Sequence, residues 1–195
     1  MAISAAMVKE LRERTSLGMM ECKKALAEAG GDMDQAIEDL RKKSSLKAAK
    51  KAGRTTANGL LGVKSSEDGK RIALVEVNIE TDFAAKNEKF IAFVSKVAQT
   101  LFDSGDMDSV TQTLNAERET LVQEIGENLA IRRGALVQSG SGGLSYYMHG
   151  DQRRGAIVQL ADKHDELGRD LSMHIVAINP MVVKSDEVAA DVLDK

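Results

Sequence analysis

Within Glu80-Thr81-Asp82-Phe83-Ala84-Ala85-Lys86-Asn87, two carboxylates, a hydroxyl and an ammonium group surround one phenyl ring. The set holds no nucleophile paired with a base, so the chemistry it offers is recognition: an aromatic anchor flanked by charge. The stretch closes an apolar strand pattern, Glu76-Val77-Asn78-Ile79, and opens a helical one. Two readings of Phe83 stand. Large apolar side chains are mostly buried, which makes Phe83 a cap on the core. Alternatively it is carried outward as an anchor for another protein, with Asp82 beside it as a charge lever.

Other candidates for chemistry are few. His149, His164 and His174 are the three histidines, and no pair has the i, i+4 spacing that puts two imidazoles on one helical face. Cys22 is the single cysteine, which excludes an internal disulfide and a cysteine-based zinc site. It lies between Met20 and Ala25 on an apolar face, the setting of a buried, inert thiol. There is no GxxxxGK[ST] loop and no GxGxxG, and Gly140 to Gly143 lacks the strand-turn-helix context of a phosphate cradle. The expectation is a protein that is not itself an enzyme and carries no cofactor or metal.

The 195 residues suffice for one large domain or two smaller ones with a real core. A net charge of -3 argues against bulk nucleic-acid or membrane binding as the whole business of the chain. With no Trp and 3% aromatics, the core must be built from Leu, Val, Ile, Ala and Met. The N-terminus lacks the apolar h-region of a signal peptide, and no run approaches the ~18 apolar residues of a membrane span. Together with one cysteine, this predicts a cytoplasmic protein.

The elements that must position the Phe83 turn can be read in chain order. Ser4 caps a first helix with Met7, Val8 and Leu11 on one face. After a break at Thr15 to Gly18, a second helix carries Met19, Met20, Cys22, Ala25, Leu26 and Ala29 and stops at Gly30-Gly31. Asp32 with Gln35 forms a capping-box-like start for a third, with Met33, Ala36, Ile37 and Leu40. Residues 1–40 are thus a three-helix module, too small to be more than marginal alone. Residues 41–57 follow as a basic linker helix, its cations from Arg41 to Arg54 uninterrupted by any acid. An RNA-binding strip is one reading; a solvated linker is favoured, because no aromatics are interleaved for base stacking.

Residues 58–138 read as a first core subdomain. A hairpin of Gly59 to Val63 and Arg71 to Asn78 comes first. Behind the turn, Asn87 caps a helix that buries Phe90, Phe93, Val94, Val97, Ala98, Leu101 and Phe102 on one face. A helix of about Leu114 to Glu127 and a strand of Leu129 to Val137 follow. The joint Ser139 to Gly143 opens residues 139–195, with a second hairpin and a helix from about Glu166 to Asn179 stopped by Pro180. At an offset of 83 residues, Gly59 meets Gly142, Leu61 meets Leu144, Asp68 meets Asp151, Arg71 meets Arg154, Ala73 meets Ala156 and Val75 meets Val158. The predicted class is α+β: a helical module, then two related subdomains, each a small antiparallel sheet with helices on one face.

Several of these stretches together resemble the bacterial elongation factor Ts family. They are Val8-Lys9-Glu10-Leu11-Arg12-Glu13-Arg14-Thr15 with Gly18-Met19-Met20-Glu21-Cys22-Lys23-Lys24-Ala25-Leu26, Lys47 to Ala52, and Glu80 to Asn87. Ile125-Gly126-Glu127-Asn128, Ile131-Arg132-Arg133, Tyr147-Met148-His149-Gly150 and Met173-His174-Ile175 to Pro180 follow in the family's order. The resemblance implies a ubiquitin-associated-like N-terminal module and two related core subdomains. It also implies guanine nucleotide exchange on elongation factor Tu, in its GDP-bound and nucleotide-free forms, with no membrane and no direct nucleic-acid partner.

By the same resemblance, Thr81, Asp82, Phe83 and Ala84 form the region that disturbs the partner's Mg2+ site. Lys9, Arg12, Met19, Met20 and Lys23 touch its nucleotide-binding domain, with Ile125 and Gly126 as a third contact and His149 reaching another domain. From pattern alone, Met19 and Met20 serve equally as internal packing. Long members of the family continue beyond the position of Lys195 with a coiled-coil hairpin and the end of the second subdomain. A folded fragment without exchange activity is therefore a further alternative, beside an RNA-associated basic helix. Ser16 stands where the family has Gly and Asn58 where it has an acid, and the turn after His149 is one residue longer.

Overall fold

The computed structural model describes residues 3–193. Helix α1 (Ala5–Thr15) starts where the Ser4 hydroxyl accepts the Met7 N–H, and it ends at Ser16 in the left-handed region, φ 58. An L side chain there costs about 1 kcal/mol, which glycine avoids. Helix α2 (Met19–Glu28) and helix α3 (Met33–Lys51) complete the module. Asp32 caps α3 by accepting the N–H groups of Asp34 and Gln35, but the Gln35 side chain turns to Asp39 and the capping box is not reciprocal. Val8, Leu11, Leu17, Cys22, Ala25, Leu26, Ala36 and Leu40 form this module's own core.

Helix α3 runs as one element across the boundary drawn at residue 40, where the sequence reading expects a bundle helix and then a linker helix over 41–57. No Gly or Pro interrupts it, and its buried positions Ala36, Leu40, Ser44 and Ala48 keep a strict i, i+4 spacing. Ala48 already belongs to the second, larger core, so this helix carries one buried face from the module into the rest of the molecule.

That larger core is a three-stranded antiparallel sheet in the order β1 (Asn58–Ser65), β2 (Arg71–Ile79), β3 (Leu129–Gln138). Between β2 and β3 the chain forms α4 (Asp82–Ala85), α5 (Glu88–Ser104) and α6 (Met107–Ile125), the last beginning seven residues before the Leu114 start read from periodicity. Ala73, Val75 and Val77 on alternate positions of β2 meet Phe90, Phe93, Val94, Val97, Ala98 and Leu101 of α5 in a single buried cluster. Phe102 is half-buried, with the Arg71 guanidinium 4.5 Å from its ring centre.

A bulge at Glu76/Val77 sets one extra residue in β3. Arg132 and Arg133 consequently both reach Glu76, at 3.0 and 2.6 Å. Burial works to raise the Glu76 carboxyl, but the Arg133 hydrogen bond and charge, Asn78 and the Arg132 charge outweigh it, and the group is held below its usual range. A carboxyl lowered by folding contributes stability above the unfolded value, and that contribution disappears as pH falls through the folded one. Glu76→Gln is therefore expected to be less stable than the parent at neutral pH, with the gap closing as pH falls through and below the usual glutamate range. Urea midpoints across that range check it; a pH-independent gap would assign the loss to packing.

After Ser139, the second half holds β4 (Gly143–Met148) paired antiparallel with β5 (Gly155–Leu160), and α7 (Asp165–Ile178) across them. A 3-10 turn, Ser185–Glu187, and α8 (Ala190–Leu193) end the described chain. The 83-residue repeat is carried into detail. Leu60 pairs with Val77, and Gly143 pairs with Leu160, the same register shifted by 83 on each strand. A Cβ on Gly59 would lie 2.3 Å from the Val77 carbonyl oxygen, and one on Gly142 would lie 1.9 Å from that of Leu160, so both hairpins need a glycine at one equivalent crossing. In the turns, Asp68 Oδ1 accepts the Lys70 N–H and Asp151 Oδ1 the Arg153 N–H, each at 3.0 Å. Gly69 and Gln152, also 83 apart, both have positive φ, 69 and 54. The second sheet has two strands among the described residues, against three in the first.

Candidate functional site

Strand β2 delivers the Phe83 turn. It ends at Ile79, whose partner on β3 is Leu129, and beyond that pair the two strands separate. Carboxylates then take over from the backbone ladder. Glu80 accepts the Asn128 N–H, and Glu127 accepts both the N–H and the hydroxyl of Thr81, at 2.9 and 2.7 Å. Asn128, itself buried, donates its side-chain amide to the carbonyls of Ala52 and Arg54 just past α3. Asn58 donates to the Glu80 carbonyl at 2.9 Å, a role that an ionised acid at this position could not fill. Arg54 lies 3.4 Å from the Glu80 carboxylate.

On this base α4 is a single turn of four residues, capped by the Thr81 hydroxyl, which accepts the Ala84 N–H at 3.2 Å. Ala84 and Ala85 face inward and are buried. Phe83 faces outward and is 81% exposed, so it does not cap the core. Asp82 is half-buried, with its carboxylate 3.6 Å from the Lys86 ammonium, and that ammonium is 5.8 Å from the centre of the Phe83 ring. A phenyl group is thus held in water beside an ion pair of a carboxylate and an ammonium, on a turn whose backbone is bonded to two other parts of the chain.

The turn is joined to the end of α6. Gly126 caps that helix at φ 87, its carbonyl accepts the Lys51 ammonium, and Glu127 is the next residue. Ile125 packs half-buried against the larger core while Gly126 is exposed. The structure therefore brings Ile125 and Gly126 beside Thr81, Asp82, Phe83 and Ala84. It does not bring Lys9, Arg12, Met19, Met20 or Lys23 into the same cluster. Lys9 and Arg12 are exposed on α1, Lys23 is exposed on α2, and Met19 and Met20 are 58% and 75% exposed at the start of α2. Neither methionine is internal packing.

A polar link nevertheless ties α2 to α6. Glu21 accepts from Lys47 at 2.7 Å and from Gln123 at 2.9 Å, and its carboxyl lies below the usual range, chiefly through the Lys47 hydrogen bond. His149 is separate again: half-buried at the end of β4, it has Nδ1 3.3 Å from the Tyr147 hydroxyl. The backbone of its turn repeats that of the first hairpin, with the His149 N–H donating to the Arg154 carbonyl as the Ser66 N–H donates to that of Arg71.

Glu127 and Asn128 are the members of this site whose part the sequence did not show. Neither matches a pattern of period 2 or 3.6, and the one available signal is an acid and an amide directly before a strand. The basic strip also changes character. Lys42 pairs with Glu38 of its own helix, and Lys43 with Glu28, Lys47 with Glu21 and Arg54 with Glu80, so acids, three of them from other segments, neutralise much of it. Among the described residues no cluster of His, Cys, Asp or Glu is arranged to hold a metal, and no helix is long and apolar enough to cross a membrane. A groove of about 920 Å³ lies between the first sheet and the second half, lined by Leu61, Leu74, Glu76, Arg154, Ile157 and Ile175 among others, and none of the candidate residues lines it.

Comparison with known proteins adds a lineage to this geometry. The sequence profile described as "Elongation factor TS" matches residues 80–195, beginning at the Phe83 turn. Elongation factor Ts of Saccharophagus degradans is 50% identical over 198 residues, covering all of this chain and 68% of that protein. The Hahella chejuensis protein of the same name is 51% identical over 197 residues with the same coverage. The Arthrospira platensis protein of that name is 47% identical over 203 residues, covering all of this chain and 81% of its own length. The relatives extend over the N-terminal helices that the profile leaves out, and the chain accordingly belongs to the elongation factor Ts family of translation elongation factors.

Proposed function

We propose that the chain is a guanine nucleotide exchange factor for elongation factor Tu, acting in the cytoplasm as a binding protein rather than as an enzyme with a substrate or cofactor of its own. The observation that carries this reading is Phe83, 81% exposed on a turn that the rest of the fold holds in place. Phe83 enters the partner's nucleotide-binding domain, and Asp82 disturbs the groups that hold Mg2+ between the phosphates. Loss of the metal strips the strongest local charge from the diphosphate, and GDP leaves. Exposed Met19 and Met20, with flexible thioethers suited to a partner surface, hold the same domain from the N-terminal module beside Lys9, Arg12 and Lys23. Ile125 and Gly126 add a contact next to the turn, and His149 contributes one from the second half. Binding is reciprocal: GDP weakens this protein's hold on the partner by the factor by which this protein weakens GDP.

The ion pairs along α3 weigh against the RNA reading, because cations already matched by acids release few counterions on binding a polyanion. The test loads elongation factor Tu with a fluorescent GDP and chases it with unlabelled GDP. Substoichiometric amounts of the chain are expected to raise the release rate by at least about tenfold, equivalent to ~1.4 kcal/mol off the barrier. An unchanged rate at excess chain would overturn the proposal for these residues.

A further inference from the structure

The four residues of α4 are too few to be a stable helix on their own, since one turn fixes several dihedrals for one hydrogen bond. Something outside the turn must set its direction, and with it the direction of Phe83. The inward side is held by buried Ala84 and Ala85, which are too small to fix the rotation of the turn about the strand end. The side-chain cap is the Thr81 hydroxyl, an atom free to rotate unless its own hydrogen is committed.

Glu127 commits it. One carboxylate oxygen takes the Thr81 hydroxyl proton at 2.7 Å, which leaves a lone pair aimed at the Ala84 N–H, and the other takes the Thr81 N–H at 2.9 Å. Glu127 is 46 residues away in sequence and directly follows the Gly126 cap of α6. We propose that Glu127 is the positioning residue of the Phe83 turn: its carboxylate, gripping Thr81 at two points, orients α4 so that Phe83 and Asp82 point outward together, and fixes them relative to Ile125 and Gly126. The reciprocal bond from the Asn128 N–H to Glu80 holds Glu127 in place for this task. The inference rests on the exchange reading given above for its effect on GDP release, but the orientation itself does not depend on it.

Two measurements on the full chain test it. The first follows fluorescent GDP release from elongation factor Tu with the parent, Glu127→Ala, Glu127→Gln, Phe83→Ala and the Glu127→Ala/Phe83→Ala double variant. Glu127→Ala is expected to lower the acceleration about tenfold, and Glu127→Gln, whose amide oxygen still accepts the Thr81 N–H, to stay within about threefold of the parent. In the Phe83→Ala background, Glu127→Ala is expected to add less than about twofold, because a residue acting through Phe83 has nothing left to position. A full effect in that background, or none in the parent, overturns the proposal.

The second measurement is amide hydrogen exchange. In Glu127→Ala the Ala84 and Ala85 amides are expected to lose protection by about tenfold while those of α5 keep theirs. Equal protection in variant and parent overturns the proposal without reference to any partner. Failure of the parent to accelerate release would overturn the exchange reading alone, with hydrogen exchange still deciding the role of Glu127.

Discussion

Phe83→Ala is expected to cut the acceleration of GDP release by about tenfold to about a hundredfold while leaving the unfolding transition of the chain where it was. The two halves of that expectation have separate causes. A Phe side chain passing from water into a partner's apolar pocket contributes roughly 1.5 to 3 kcal/mol. At ~1.4 kcal/mol per tenfold, that gain is worth between one and two orders of magnitude in rate if it is realised only in the GDP-releasing state. The fold loses little, because the ring is 81% exposed and the Lys86 ammonium approaches its face no nearer than 5.8 Å. Stopped-flow release with each chain, beside urea unfolding of each, measures both halves. A variant as active as the parent would remove Phe83 from the mechanism, and one that unfolds early would make it a core residue after all.

The largest effect on stability is expected seven residues further on. Phe90→Ala removes a side chain that is 0% exposed and sits where α5 meets the sheet, and such truncations cost about 3 to 5 kcal/mol. Against a typical total of ~5 to 15 kcal/mol, this is a large share of what holds the domain folded. Leu26→Ala, in the separate core of the N-terminal helices, is expected to cost about 2 to 5 kcal/mol. Ala48 of α3 belongs to the larger cluster while Leu40 of the same helix belongs to the smaller, so loosening of the module is expected to reach the sheet through that helix. Urea unfolding followed by circular dichroism gives the midpoints and slopes. A shift of less than about 1 kcal/mol for Phe90→Ala would mean that neighbouring side chains collapse into the space it leaves.

Much of the scaffold is legible in local chemistry. Ser4, Asp32 and Asn87 read as helix caps from residue type, and each accepts a backbone N–H at the predicted end. The helical spacing from Phe90 to Leu101 selects the face that is buried. The offset of 83 residues is a pattern of glycines, acids and apolar positions, and the two hairpins repeat its register residue for residue. The boundary at residue 40 is where local reading falls short. Nothing in Leu40-Arg41 stops a helix, and what lengthens α3 is the docking of Ser44 on Gln123, 79 residues away.

The sequence by itself determined which segments are helix and strand, where they are capped, that two halves are related, and that Phe83 sits on a strand-to-helix turn, because caps, periods and turns depend on neighbours a few positions apart. Only the tertiary structure decided that Phe83 faces water, that Met19 and Met20 are exposed, and that Lys43 and Lys47 of α3 are matched by acids of α2. A four-residue turn has no periodicity to assign its faces. Its direction depends on Glu127 and Thr81, and the charge of the basic strip depends on Glu21 and Glu28, partners that only the folded chain brings within hydrogen-bond distance.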